Sequence, residues 1–122
     1  MILLDTNIFI EIFKGNVEVT QTIQLIKPQE IALSSVTAME LYYGALNKLE
    51  LQRIRKHLKA FQLCHITQNI SERSTDLVAQ YAKSHGLQIP DAIIAATAIE
   101  YSSLLFTLNT RDFKFIEGLQ LV

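Results

Sequence analysis

One stretch narrows the possible folds of this chain more than any other: Asp91-Ala-Ile-Ile-Ala-Ala-Thr-Ala-Ile-Glu100, directly after Pro90. Its spacing predicts a helix, and between Asp91 and Glu100 that helix carries no charge. A helix apolar on nearly every face has to be buried. Its one early charge, Asp91, must then find water, a cation or a hydrogen-bonding nest. In 122 residues of which 49% are hydrophobic, such burial is affordable, because a domain of this size hides roughly two-thirds of its unfolded surface.

The surrounding pattern says what buries it. MILLD at the start has four apolar residues in a row and predicts a short buried strand. Helical spacing follows through Ile8, Ile12 and Phe13, broken at Gly15 and Asn16, and a second helix covers Val17 to Ile26, ahead of Pro28. EIALSS predicts a strand. A helix from Val36 to Leu49 follows, with Val36, Met39, Tyr43 and Leu46 on one side. Another has Leu51, Ile54, Leu58 and Phe61 facing inward. LCHIT reads as a strand, and a long helix with Ile70, Leu77, Tyr81 and Ala82 inward ends at Gly86, a good C-terminal capping residue. After the apolar helix come the strand LLFTL, a helical turn around Arg111 to Phe115, and a last strand, LQLV. Strands alternating with helices imply an α/β fold, a mostly parallel central β-sheet flanked by α-helices. No linker, repeat or low-complexity tract divides it, so residues 1–122 are expected to form one domain.

Several classes fall away. Eleven Lys plus Arg against twelve Asp plus Glu give a formal charge of −1, which excludes both a disordered chain and a strongly basic nucleic-acid coat, though not a local patch. Cys64 has no partner for a disulfide, which suits a reducing compartment, and its apolar strand makes it a small core residue. MILLDTN lacks the basic and long apolar regions of a signal peptide, and no stretch is apolar enough to span a bilayer. The expectation is a soluble cytoplasmic domain without a membrane partner.

The acids carry the chemistry. Asp5 closes the first strand, Asp91 opens a helix and Asp112 lies just past LLFTL, while Asp76, mid-helix, reads as a solvated surface charge. Singly, each of the three has an ordinary explanation in helix capping. Glu40 falls on a narrow polar stripe with Thr37, Gly44, Asn47 and Lys48. That stripe fits an exposed face, or a surface that something approaches closely at Gly44. In parallel sheets, working groups gather at the carboxyl ends of strands. If Asp5, Glu40, Asp91 and Asp112 converge there, each pair at about 5 Å repels by ~3 kcal/mol at an effective dielectric near 20. Protons or a divalent cation must relieve that repulsion. All-oxygen ligands select Mg²⁺ or Mn²⁺ over zinc, and ions held this way serve phosphodiester hydrolysis.

With these residues in place, the chain resembles the PIN-domain ribonucleases, and among them the VapC-type toxins of bacterial and archaeal toxin–antitoxin pairs. LDTNIFI (4–10), TAMELYYGA (37–45), IPDAIIAATA (89–98) and TLNTRDF (107–113) carry the resemblance, in the family's order and over nearly the whole chain. Leu108 stands where the family often has another polar residue. The resemblance implies a PIN-like fold in which Asp5, Glu40, Asp91 and Asp112 are catalytic and hold Mg²⁺ or Mn²⁺. It further implies that Thr6, Asn7, Thr107 and Asn109 position water or substrate. The implied activity is endonucleolytic cleavage of RNA, and the implied partners are an antitoxin whose C-terminal segment covers the acidic groove and a second copy in a homodimer.

Other readings fare worse. A haloacid dehalogenase-type phosphatase needs an acid where Asn7 stands. A receiver domain needs paired acids after the first strand, and no two glycines are close enough for a phosphate loop. His57, His65 and His85 follow no metal-ligand spacing and read as surface or satisfied core residues. The rival from another class is a catalytically inactive PIN-like module that binds RNA or protein. Lys48, Arg53, Arg55, Lys56 and Lys59 place five of eleven positive charges within twelve residues. They form either a solvated helix face or a contact for the RNA backbone.

Overall fold

A computed structural model describes residues 1–122. Its center is a four-stranded parallel sheet of β1 (Ile2–Leu4), β2 (Ile31–Ser34), β3 (Gln62–Cys64) and β4 (Leu104–Phe106), in the order β3-β2-β1-β4. Six helices connect and cover it: α1 (Thr6–Phe13), α2 (Val17–Gln24), α3 (Ser35–Tyr43), α4 (Lys48–Leu58), α5 (Gln68–His85) and α6 (Ile89–Glu100). This is the α/β layer architecture that the alternating pattern predicts.

Strand pleating divides the interior in two. Leu3 is in register with Ala32 and Leu105, and these join a core made with α5 and α6 through Leu77, Ala92 and Ala95, and with Phe113 from the C-terminal segment. Leu4, Ile31 and Leu33 serve a second core with Ile8, Phe9, Val19, Ile54 and Leu58 of the other helices. Alternate residues of a strand face opposite sides, so two residues of β1 seed both cores. The apolar helix is enclosed as its composition requires: Ala92, Ile94, Ala95, Ala96 and Ala98 are fully buried. α5 packs along it and ends at Gly86, whose φ of +69° is the left-handed conformation a glycine adopts without strain.

Three expectations need correction. The helix expected over Val36–Leu49 is two: α3 stops at Tyr43 with Gly44 as its cap, and α4 starts after Asn47, whose side chain accepts from the Glu50 N–H. Of the side expected to carry Val36, Met39, Tyr43 and Leu46, only Val36 packs against the core, with Met39 57%, Tyr43 85% and Leu46 86% exposed, while Thr37 from the polar stripe is wholly buried. The final strand LQLV reduces to one parallel bridge between Leu105 and Leu121. The turn near Arg111 is a 3₁₀ turn at Thr110–Asp112.

Topology positions the site. From β1 the chain moves outward to β2 and β3, then returns to place β4 on the other side of β1. The carboxyl end of β1 is therefore the point where strand order reverses, the usual place for a ligand crevice in such sheets. α1 and α3 leave from the carboxyl ends of β1 and β2, and the 3₁₀ turn follows β4. α6 feeds the amino end of β4, so its own N-terminus lies at the same edge of the sheet.

Candidate active site

Asp5 is 5% exposed, at the end of β1. One carboxylate oxygen caps α1 by accepting the Thr6 N–H at 2.7 Å, and the other accepts the Thr107 hydroxyl at 2.7 Å. Capping and site reading thus coexist here. Thr107 has a single proton to donate, and its oxygen receives the Asn109 N–H at 3.0 Å and the Asn7 amide at 3.4 Å. Those two donors leave its proton directed at Asp5. Asn7 also accepts the Leu108 N–H at 3.3 Å, which straps α1 to the segment leaving β4. Asn109 joins through its backbone.

Glu40 is reached from the other side. The Thr6 hydroxyl lies 2.7 Å from Glu40 Oε1 and 3.0 Å from the Thr37 hydroxyl. Sequence reasoning placed Thr37 on an outward stripe and gave it no role. Its position three residues before Glu40, on the same helix face, is the signal that could have found it.

Asp91 sits in the first turn of α6, whose N-cap is Gln88 without a side-chain cap bond, and Asp91 makes no capping contact. Burial, then the charges of Asp5, Asp112 and Glu40, push its pKa up to about 6. Burial likewise raises Asp5, with Glu40 and Asp112 adding to the rise and the bonds from Thr107 and Thr6 opposing it. Asp5 and Asp91 thus each feel the charges of Glu40 and Asp112. No three of them stand close enough together to hold a metal ion as a ready-made ligand set. An open set of carboxylates at one edge fits Mg²⁺, which keeps several waters and binds through one or two carboxylates plus substrate phosphate.

Beside Glu40 runs a groove of about 740 Å³, with Ile10, Phe13 and Leu46 as apolar lining and Lys14 and Arg53 on its border. Of the basic segment, Arg53 reaches this groove, Arg55 lies over the Tyr42 ring at 5.3 Å, and Lys56 and Lys59 are exposed. Ile54 and Leu58 are buried as expected. His57 stands edge-on between Phe13 and Phe61, where partial burial lowers its pKa. Cys64 is a buried core residue.

A family model described as the PIN domain matches residues 2–118. The chain belongs to the PIN domain family. This PIN domain is 32% identical to the Ribonuclease VapC19 of Mycobacterium tuberculosis, over 98% of both chains. It superimposes with a TM-score of 0.83 on a chain of a toxin–antitoxin complex from Klebsiella pneumoniae, at 39% identity over 98% of this chain and 95% of that one. The same score, at 28% identity over 100% and 98%, relates it to VapBC2 from Rickettsia felis, solved bound to a DNA fragment from their promoter. The PIN-like fold and the family resemblance read from the sequence are both borne out.

Proposed function

We propose that this chain is the endoribonuclease toxin of a toxin–antitoxin pair, hydrolysing RNA phosphodiester bonds at Asp5, Glu40, Asp91 and Asp112 with Mg²⁺ or Mn²⁺. The observation that carries it is the acidic edge of the sheet, where Thr6 and Thr107 hold the buried Asp5 carboxylate and Thr6 also holds Glu40, with the charges of Glu40 and Asp112 acting on Asp5 and Asp91. A module that only binds has no use for carboxylates crowded at such electrostatic cost. The ribonuclease and toxin–antitoxin relatives support the same reading.

Asp5, Asp91 and Glu40 would hold the principal ion, with Asp112 completing the site. When bound, the cation supplies Lewis-acid polarisation and neutralises the phosphate's charge. The chain's own residues do the orienting. Thr107 and the Thr6 N–H fix both Asp5 oxygens, each of which keeps a lone pair for a further partner. Thr6 fixes Glu40 from the opposite side, and Asn7 locks the two arms of the site together. Ionised Asp5, Glu40 and Asp91 repel a bare phosphate, so substrate entry requires the cation.

The antitoxin's C-terminal segment is assigned to the groove beside Glu40, where apolar side chains lie open to solvent. The basic helix α4 borders it and would meet the RNA backbone through Arg53, Arg55, Lys56 and Lys59. A homodimer in the cytoplasm belongs to the same proposal, and no helix is long and apolar enough to cross a membrane. Purified chain, freed of any antitoxin, should take up Mn²⁺ by calorimetry and cut RNA in its presence. Failure of both would remove the enzymatic reading.

A further inference from the structure

Thr37 is fully enclosed, yet its hydroxyl does not take the partner that helical threonines and serines usually find. Thr97, Thr75 and Ser74 each donate to the carbonyl one turn back, at 2.7, 2.9 and 2.7 Å. Thr37 instead meets the Thr6 hydroxyl at 3.0 Å, and Thr6 meets Glu40 Oε1 at 2.7 Å. Each threonine has one proton to give. The shorter contact runs to a carboxylate, is charge-assisted, and takes the Thr6 proton. Thr6 then has only a lone pair to offer Thr37, so the donors line up in one direction, Thr37 to Thr6 to Glu40. Bonds in such a chain polarise one another, so the donation from Thr37 strengthens the one that Thr6 makes.

The placement follows from α3. Thr37 and Glu40, three residues apart, share one helix face, and both reach the first residue of α1. Thr37 anchors the inner end, where its whole side chain is packed. Glu40 occupies the outer end, exposed apart from this contact. Without an anchor, an exposed glutamate would sample several rotamers.

We propose that Thr37 is a positioning residue for the acidic site, setting the Thr6 hydroxyl so that it holds the Glu40 carboxylate in one orientation. The inference rests on Glu40 belonging to the metal site. Hydrogen-bonding partners of metal ligands typically contribute 10–100-fold to metal affinity or activity.

The test uses the full chain with Thr37→Val, which removes the hydroxyl at nearly constant shape, and Thr37→Ser, which keeps it. Two quantities are read: Mn²⁺ affinity by calorimetry without RNA, and kcat and KM for RNA cleavage. Thr37→Val should weaken Mn²⁺ binding and lower kcat, each by about tenfold, with KM for RNA unchanged. Thr37→Ser should restore both. If the valine variant matches the wild type, or the serine variant loses as much as valine, the positioning role is overturned. Should Thr37→Val fold poorly, Thr37→Ala in a Thr6→Val background replaces it. Once Thr6 is gone, losing the hydroxyl must add nothing to the loss, and additive losses overturn the proposal. Glu40→Gln separates the two levels. An innocuous Glu40→Gln sinks the metal-site reading itself, whereas a damaging Glu40→Gln beside an innocuous Thr37→Val sinks the positioning role alone.

Discussion

Thr107 and Asp5, 102 residues apart in the chain, are joined by a 2.7 Å hydrogen bond between hydroxyl and carboxylate. It links the exit of β4 to the end of β1, neighbouring parallel strands, and opposes the burial that drives Asp5 toward its neutral form. Thr107→Val removes a charge-assisted donor from a buried acid. The expected cost at neutral pH is about 1.5–3 kcal/mol in urea unfolding, together with a further rise in the Asp5 pKa and a loss of cleavage. Unchanged stability would mean that the carboxylate finds another donor.

Asp91 gives the protein a pH signature. Its pKa is about 6 when folded, against an ordinary 3.8. An acid whose pKa is higher in the folded state contributes stability that is full below its unfolded value and is lost as pH rises through its folded one. Metal-free protein should therefore lose stability between about pH 4 and 7. The loss is on the order of 1–2 kcal/mol, discounted because Asp91 remains partly solvated. Asp91→Asn abolishes the titration, so the variant should melt above the wild type near pH 7.5 and level with it near pH 4. Mn²⁺ should stabilise only the wild type, and do so most near pH 7.5. Thermal unfolding of both proteins across that range checks this. A gap between them that does not vary with pH would contradict it.

Leu46 is 86% exposed on the groove beside Glu40. Leu46→Asp removes apolar contact from the surface assigned to the antitoxin and disturbs no core packing. Stability should stay within about 0.5 kcal/mol, while antitoxin binding, measured by calorimetry with the cognate protein, should weaken at least tenfold. Wild-type affinity would move the antitoxin to another face.

Arg55 on α4 and Lys59, which caps its C-terminus, are both exposed. Replacing the two with Gln should lower the slope of log affinity against log salt for single-stranded RNA by up to about 1.4, at roughly 0.7 per lost phosphate contact. An unchanged slope would remove this helix face from the RNA path.

Asp5, Asp91 and Asp112 were legible as candidates because each falls where two local signals coincide, an element boundary and a break in an apolar run, whereas Glu40, in the middle of α3, was marked only by its polar stripe. Asp91 is the clearest case, an isolated charge on a helix with no face to spare for it. Parallel strands follow from the same alternation of elements. The exposed apolar surface of Met39, Tyr43 and Leu46, of which Leu46 lines the groove, was not legible, and the reason is specific. Met39, Tyr43 and Leu46 repeat at the spacing of a buried helix face, but no element of this chain covers them. Periodicity reports that a face is apolar without naming what it packs against. The break before α4 was written locally, in Asn47 three residues ahead of Glu50, and the apolar period hid it. Thr37 was missed for the converse reason: a threonine beside a glutamate looks like a wet surface until α1 is laid across it.

The central claim is that the carboxylates at the end of the sheet cut RNA, and Asp5→Asn tests it most directly. The substitution keeps the shape of the side chain and removes its charge. With Mn²⁺ present and antitoxin absent, the rate of RNA cleavage should fall by more than the 10–100-fold that loss of a supporting hydrogen bond costs, while circular dichroism shows the fold unchanged. A folded Asp5→Asn protein that cuts RNA at the wild-type rate would contradict the claim.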